Sequence, residues 1–151
     1  MNKVEKSQEY FKNGFNCSQA VFTTFATELG LPEELALKVS TQFGGGARKG
    51  EMCGAVSGAL MVLGLMYGHC HYDASEEKAN AYGIAEDFMN RFIERNGTVV
   101  CRELLGYDVS KPEDVPKIKE LNLFQTTCTK MIQCATEIVE EMIKSKESHV
   151  Q

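Results

Sequence analysis

No stretch of this chain alternates apolar and polar residues over the four or more positions that a half-buried β-strand needs, and that directs the fold toward helices alone. Val99-Val100 comes nearest and is too short to count as a strand. Apolar residues recur instead at three- and four-residue spacing, in runs bracketed by helix start and stop signals. Asn16 precedes Cys17, with Gln19 in the reciprocal capping position. A helix from Cys17 to about Leu29 would bury Ala20, Val21, Phe25 and Leu29, with Phe22 beside them. Before it, Lys3 to Lys12 reads as a short helix ended by Gly14. After it, Gly30 stops one helix and Pro32-Glu33-Glu34 opens the next, with Leu35, Val39 and Phe43 as its apolar face.

The glycines 44–46 break the chain, and 47–50 form a loop before an apolar helix that starts at Glu51 or Met52 and ends near Gly68. Asp73-Ala74-Ser75-Glu76 starts a long amphipathic helix to about Asn96, using Ala81, Ile84, Ala85, Phe88, Phe92 and Ile93, with Gly97 as its cap. Thr98 is the expected N-cap of a short helix holding Cys101, Leu104 and Leu105, stopped by Gly106. Residues 107–116 read as a loop, and a short helix covers Lys117 to Asn122. The last helix runs from about Cys128 to Lys144 with Met131, Ile132, Ala135, Ile138, Val139 and Met142 inward, and the tail after Lys146 frays. The reading is one all-α domain over residues 1–151, an irregular antiparallel bundle of about six to eight helices.

The net charge of −5 and the lack of any Lys/Arg-rich run argue against nucleic acid as a partner, since phosphate binding needs clustered positive charge. The N-terminus is polar and charged, without a signal-peptide core, and Met52 to Tyr67 is shorter than the ~20 residues of a membrane span. A cytoplasmic protein with no membrane insertion is expected. In that setting the six cysteines point to metal binding or redox chemistry rather than to disulfide staples.

Four of them, Cys17, Cys53, Cys101 and Cys128, fall in or near the first turns of expected helices. First-turn N–H groups lack partners and carry the positive end of the helix dipole, so a thiolate is stabilised there. Convergent helix starts would make a pocket for up to four thiolates, or for an anionic cluster that they ligate. The alternative for each is a small buried hydrophobe, which is the favoured reading of Cys134 in mid-helix. His69-Cys70-His71 resembles a metal-ligand run, but histidines at a helix C-terminus are also what the dipole favours.

The glycine pairs Gly54/Gly58 and Gly64/Gly68 each sit on one helix face and would admit a neighbouring backbone, a cofactor, or a second copy of the chain in a homodimer. GGGARKGEMC lacks the phosphate-loop spacing and follows no strand, although Arg48 and Lys49 could steer an anionic partner. There is no Cys-x-x-Cys, no Cys-x-x-Cys-His and no Glu-x-x-His, so tertiary structure must bring the separated cysteines together.

The segments GFNCSQAVF, FGGGARKGEMCGAVSGAL, NGTVVCRELLG and LFQTTCTKMI, in this order, resemble the redox-active protein family named for a Cys, CGAxxG, Cys, Cys pattern. The resemblance covers most of the chain. It implies a redox or metal-cluster role for Cys17, Cys53, Cys101 and Cys128, and none for Cys70 or Cys134. A related domain in the split-Soret type of cytochrome is associated with an iron–sulfur centre, which favours an iron–sulfur cluster, [2Fe–2S], as cofactor and a redox partner protein as the counterpart. The competing expectations are a reversible disulfide pair without cofactor, and a structural four-thiolate zinc (Zn) site or scaffold.

Overall fold

The computed structural model describes residues 1–149, and the family of short helices predicted from spacing is present. Capping boxes open the first two. Asn2 and Glu5 bracket the start of α1 (Lys3–Lys12), and Asn16 and Gln19 do the same for α2 (Cys17–Ala26), each backbone N–H meeting the other's side-chain oxygen at 2.8–3.0 Å. There follow α3 (Glu33–Ser40), α4 (Gly54–Tyr67), α5 (Ser75–Asn96), α6 (Cys101–Leu105), α7 (Val115–Glu120) and α8 (Thr129–His149), the last entered through a π-type turn at Phe124–Cys128. Among the described residues there is no strand, and one isolated antiparallel bridge joins Met52 to Val100.

α2 is the central element because its side chains are apolar or small on every side. Ser18 and residues 20–26 are all buried, and α1, α3, α4 and α8 surround it. Its closest neighbour is α4. A Cβ on Gly58 would stand 2.8 Å from the Ser18 carbonyl oxygen, and one on Gly54 would collide with the Cys17 sulfur. Glycine costs about 1 kcal/mol relative to alanine inside a helix, and here it permits near-contact between two backbones. Val56, Ala59 and Val62 of α4, the stacked Phe88 and Phe92 of α5, and Ile132, Ala135, Ile138, Val139 and Met142 of α8 complete the main core. A second, smaller cluster of Cys101, Leu105 and Ile118, flanked by Tyr107, Val109, Leu123, Phe124 and Cys128, joins α6, α7 and the π-type turn.

Several expectations are corrected. α3 turns Ala36 and Ser40 inward, small enough for close approach to α2, and leaves Leu35, Val39 and Phe43 exposed at 48%, 47% and 40%. α2 ends at Ala26, so Leu29 lies beyond the last buried turn and is exposed. Gly64 has open space about it, and a Cβ on Gly68 would meet only the Gly64 residue of its own helix, so that pair admits no neighbour within the chain. α7 starts at Val115, with Pro116 in the first turn where its missing N–H costs nothing. α8 continues to His149, past the expected fraying at Lys146, and residues 150–151 lie outside the described residues. Among the described residues no helix is long and apolar enough to cross a membrane.

Candidate functional site

Cys17, Cys53, Cys101 and Cys128 come from four separate elements and line one cavity of about 410 Å³. The cavity lies at the seam of the two apolar clusters: Cys17 and Cys53 belong to the main core, Cys101 and Cys128 to the smaller one. Phe11, Phe15, Leu104, Leu105, Phe124 and Met131 supply most of its apolar wall.

Each thiol has its own means of placement. Cys17 is the first residue of α2, fixed by the capping box before it. Cys53 is the N-cap of α4. Cys101 is the first residue of α6, whose N-cap is Val100 and not Thr98; the Thr98 hydroxyl accepts from the Val100 N–H at 3.1 Å and donates to Glu103. Cys53 and Cys101 are tied through main chain: the Cys53 N–H donates to Val99 O at 2.7 Å and the Cys101 N–H to Glu51 O at 2.5 Å, on either side of the Met52–Val100 bridge. Cys128 departs from the expected helix start. It closes the π-type turn that runs directly into α8, so the free N–H groups of a first turn are not available to it.

The glycine run before Cys53 shapes one wall. Gly45, Gly46, Ala47 and Arg48 all have left-handed backbone, with φ of 66°, 64°, 54° and 64°, and so form a single left-handed helical turn. Ala47 and Arg48 each bear a penalty of roughly 1–2 kcal/mol that glycine avoids. Gly46 has no room for a side chain, since a Cβ would collide with the Glu51 backbone nitrogen. The turn brings the Gly45 N–H to the Cys17 sulfur.

The electrostatics of the four sulfurs differ. The Cys53 thiol, and then the N–H groups of Gly45, Ser18 and Cys17 itself, draw Cys17 down to about 6 against the opposing effect of burial. Cys53 is pushed well up, first by its thiolate partner Cys17 and then by burial, with the Ala55 and Val56 N–H groups at the start of α4 opposing. Burial pushes Cys101 up to about 11 and Cys128 up to about 12, with the Cys17 charge adding to both. Without a ligand, Cys17 is therefore the one of the four favoured as a thiolate. Burial and repulsion from the Cys17 charge outweigh the helix starts at Cys53 and Cys101, and Cys128 has no such start to oppose them.

Among the described residues no three His, Cys, Asp or Glu side chains form a group that could hold a metal ion. Cys134 lies outside the cavity lining, where its sulfur accepts from Asn96 Nδ2 at 3.3 Å in mid-α8. Cys70, His69 and His71 are exposed after α4, also outside the lining, with Cys70 Sγ 3.6 Å from His71 Nδ1. Lys119, Val109 and Val115 line the cavity without any local signal in the sequence, because α7 and the loop before it reach the thiols only through tertiary packing.

Fold and site together define a helical thiol protein whose sulfur groups are assembled from distant parts of the chain. The chain belongs to the family described as "Putative redox-active protein (C_GCAxxG_C_C)", whose model matches residues 15–142 and so includes all four cavity cysteines. Its central motif here reads Cys53-Gly54-Ala55-Val56-Ser57-Gly58, with cysteine ahead of glycine where that pattern writes glycine first. The order has a structural basis: position 54 abuts the Cys17 sulfur and tolerates no Cβ, and position 53 is the cap that faces the cavity. Comparisons with curated proteins and with solved structures yield no match.

Proposed function

We propose that this redox-active protein holds an iron–sulfur cluster, [2Fe–2S], on the sulfurs of Cys17, Cys53, Cys101 and Cys128, and uses it for electron transfer with a partner protein or for sensing. The observation that carries the reading is the seam: two thiols from each apolar cluster line one cavity. The donor set fits the group, since all-thiolate ligation in an apolar, partly enclosed site suits iron–sulfur centres. When bound, the cluster supplies one-electron exchange. The chain's own contribution is to keep Cys17 deprotonated in advance, to aim the N–H groups of Gly45 and Ser18 at its sulfur, and to shield the site with Phe11, Phe15 and Phe124. The test is anaerobic purification and reconstitution followed by iron and acid-labile sulfide analysis. Coloured protein with iron and sulfide in equal amounts is expected, reduced by serine at any of the four positions. Colourless, metal-free protein after reconstitution refutes the cluster, and zinc in its place supports a structural site.

The adjacency of Cys17 and Cys53 favours a second reading, a thiol–disulfide protein. The Cys17 thiolate attacks a partner disulfide, forming a mixed disulfide and releasing one partner thiolate. Cys53 passes its proton to that thiolate and attacks the Cys17 sulfur, leaving an intramolecular disulfide and a fully reduced partner. Thiol counts before and after mild oxidation separate the readings: loss of two thiols per chain supports the pair, and no loss rules it out.

A further inference from the structure

Two cations line the thiol cavity, Arg48 of the left-handed turn and Lys119 of α7, and among the described residues neither has a carboxylate within ion-pair distance. Arg102, nearby, is already engaged: its Nη1 lies 2.9 Å from Glu51 and 3.2 Å from Gly50 O. Asp108 is occupied by the Ser110 N–H at 2.8 Å and the Ser110 hydroxyl at 2.6 Å. Arg48 is thus an uncommitted charge at the thiols.

Its position is built rather than incidental. The guanidinium folds back over its own turn and donates from Nη1 to Gly44 O at 3.0 Å. Glycine at position 45 leaves that place clear: a Cβ there would stand 2.5 Å from Nη1 and 3.0 Å from Val109, and the guanidinium would have to shift. Arg48 itself has left-handed backbone, at φ 64°, a strained conformation for any residue but glycine and one that clusters at functional sites. A surface arginine needing only solubility requires none of these three features.

A guanidinium that lines a mostly apolar cavity and lacks a carboxylate partner favours anions there over neutral or cationic molecules. We propose that Arg48 is the specificity-determining residue of the cavity, admitting small carboxylate-bearing disulfides to Cys17 in preference to neutral or cationic ones; the disulfide's S–S bond breaks as Cys17 forms a mixed disulfide, and one carboxylate-bearing thiolate leaves. The inference rests on the redox reading only in taking the thiols as the reacting groups; it does not require the cluster.

The charged groups that bear on the site are Arg48, Lys119, Arg102 and Asp108, together with the Cys17 thiolate. The experiment uses reduced, metal-free full-length protein and compares the rates at which iodoacetate and iodoacetamide alkylate Cys17, read by peptide mass spectrometry. The ratio cancels changes in thiolate population and reports the local charge. Arg48→Gln is expected to lower the iodoacetate-to-iodoacetamide ratio by about threefold, the scale of an exposed charge interaction, and Arg48→Lys to retain most of it. Added salt should lower the wild-type ratio by screening, a measurement that needs no variant to fold. An unchanged ratio in Arg48→Gln, or a wild-type ratio indifferent to salt, overturns the proposal. A ratio that falls in protein unable to take up iron supports the role of Arg48 while counting against the cluster.

Discussion

Replacing Cys53 by alanine removes the largest influence that holds Cys17 as a thiolate. With Cys17 drawn down to about 6 from its ordinary 9.0, about 90% of it is ionised near pH 7, against roughly 1% for an unperturbed thiol. A hydrogen bond to a charged acceptor contributes about 1.5–3 kcal/mol, or roughly one to two pH units at 1.36 kcal/mol each. The N–H groups of Gly45, Ser18 and Cys17 remain in the variant, so the ionisation midpoint of Cys17 should rise to about 7–8 rather than return to the ordinary value. The assay is the pH profile of iodoacetamide alkylation at Cys17, read at the peptide level in metal-free protein. Cys101→Ala and Cys128→Ala serve as controls, because both thiols are protonated near neutrality and should shift the midpoint by less than about half a unit. A wild-type midpoint near 9, or a Cys53→Ala midpoint equal to wild type, refutes the thiol–thiolate pair.

Three further outcomes follow from the packing and the charges. In reduced, metal-free protein the depressed Cys17 contributes stability that is present above its unfolded value near 9 and lost as pH falls through about 6. The raised Cys101 and Cys128 contribute stability present below that value and lost as pH rises through about 11 and 12, so their alanine variants should flatten the alkaline limb of urea unfolding midpoints against pH. Gly58→Ala should destabilise by about 1–3 kcal/mol through its clash with Ser18, whereas Gly64→Ala, in open space on the same helix, should stabilise by up to about 1 kcal/mol in chemical denaturation. Ala47→Gly should relieve left-handed strain by about 1 kcal/mol and raise the thermal midpoint by about 2–4 °C in calorimetry.

The helices were legible where local signals are strong. The Asn16/Gln19 box, the Gly97 stop and the apolar periodicity of α5 and α8 are signals carried within a few residues of one another, and the structure follows them except at Ile93, which α5 leaves exposed. What failed depended on neighbours. The face of α3 is decided by how closely Ala36 and Ser40 let it approach α2, which outweighs the larger apolar stripe of Leu35, Val39 and Phe43. The gathering of Cys17, Cys53, Cys101 and Cys128 could be anticipated as a requirement, and the structure brings them to one cavity. Their unequal acidity could not, because it arises from burial and from which sulfur faces which. The place of Lys119 in the lining is likewise a product of tertiary packing, and the local fold-back of Arg48 onto Gly44 O belongs to a left-handed turn that no periodicity announces.

The reciprocal bonds around Met52 and Val100 mean that peptide geometry, not side-chain fit, sets how far the Cys53 main chain stands from that of Cys101. Side chains at 52 and 100 can therefore drift without disturbing that gauge, while losing a single amide hydrogen at 53 or 101 would unhitch it.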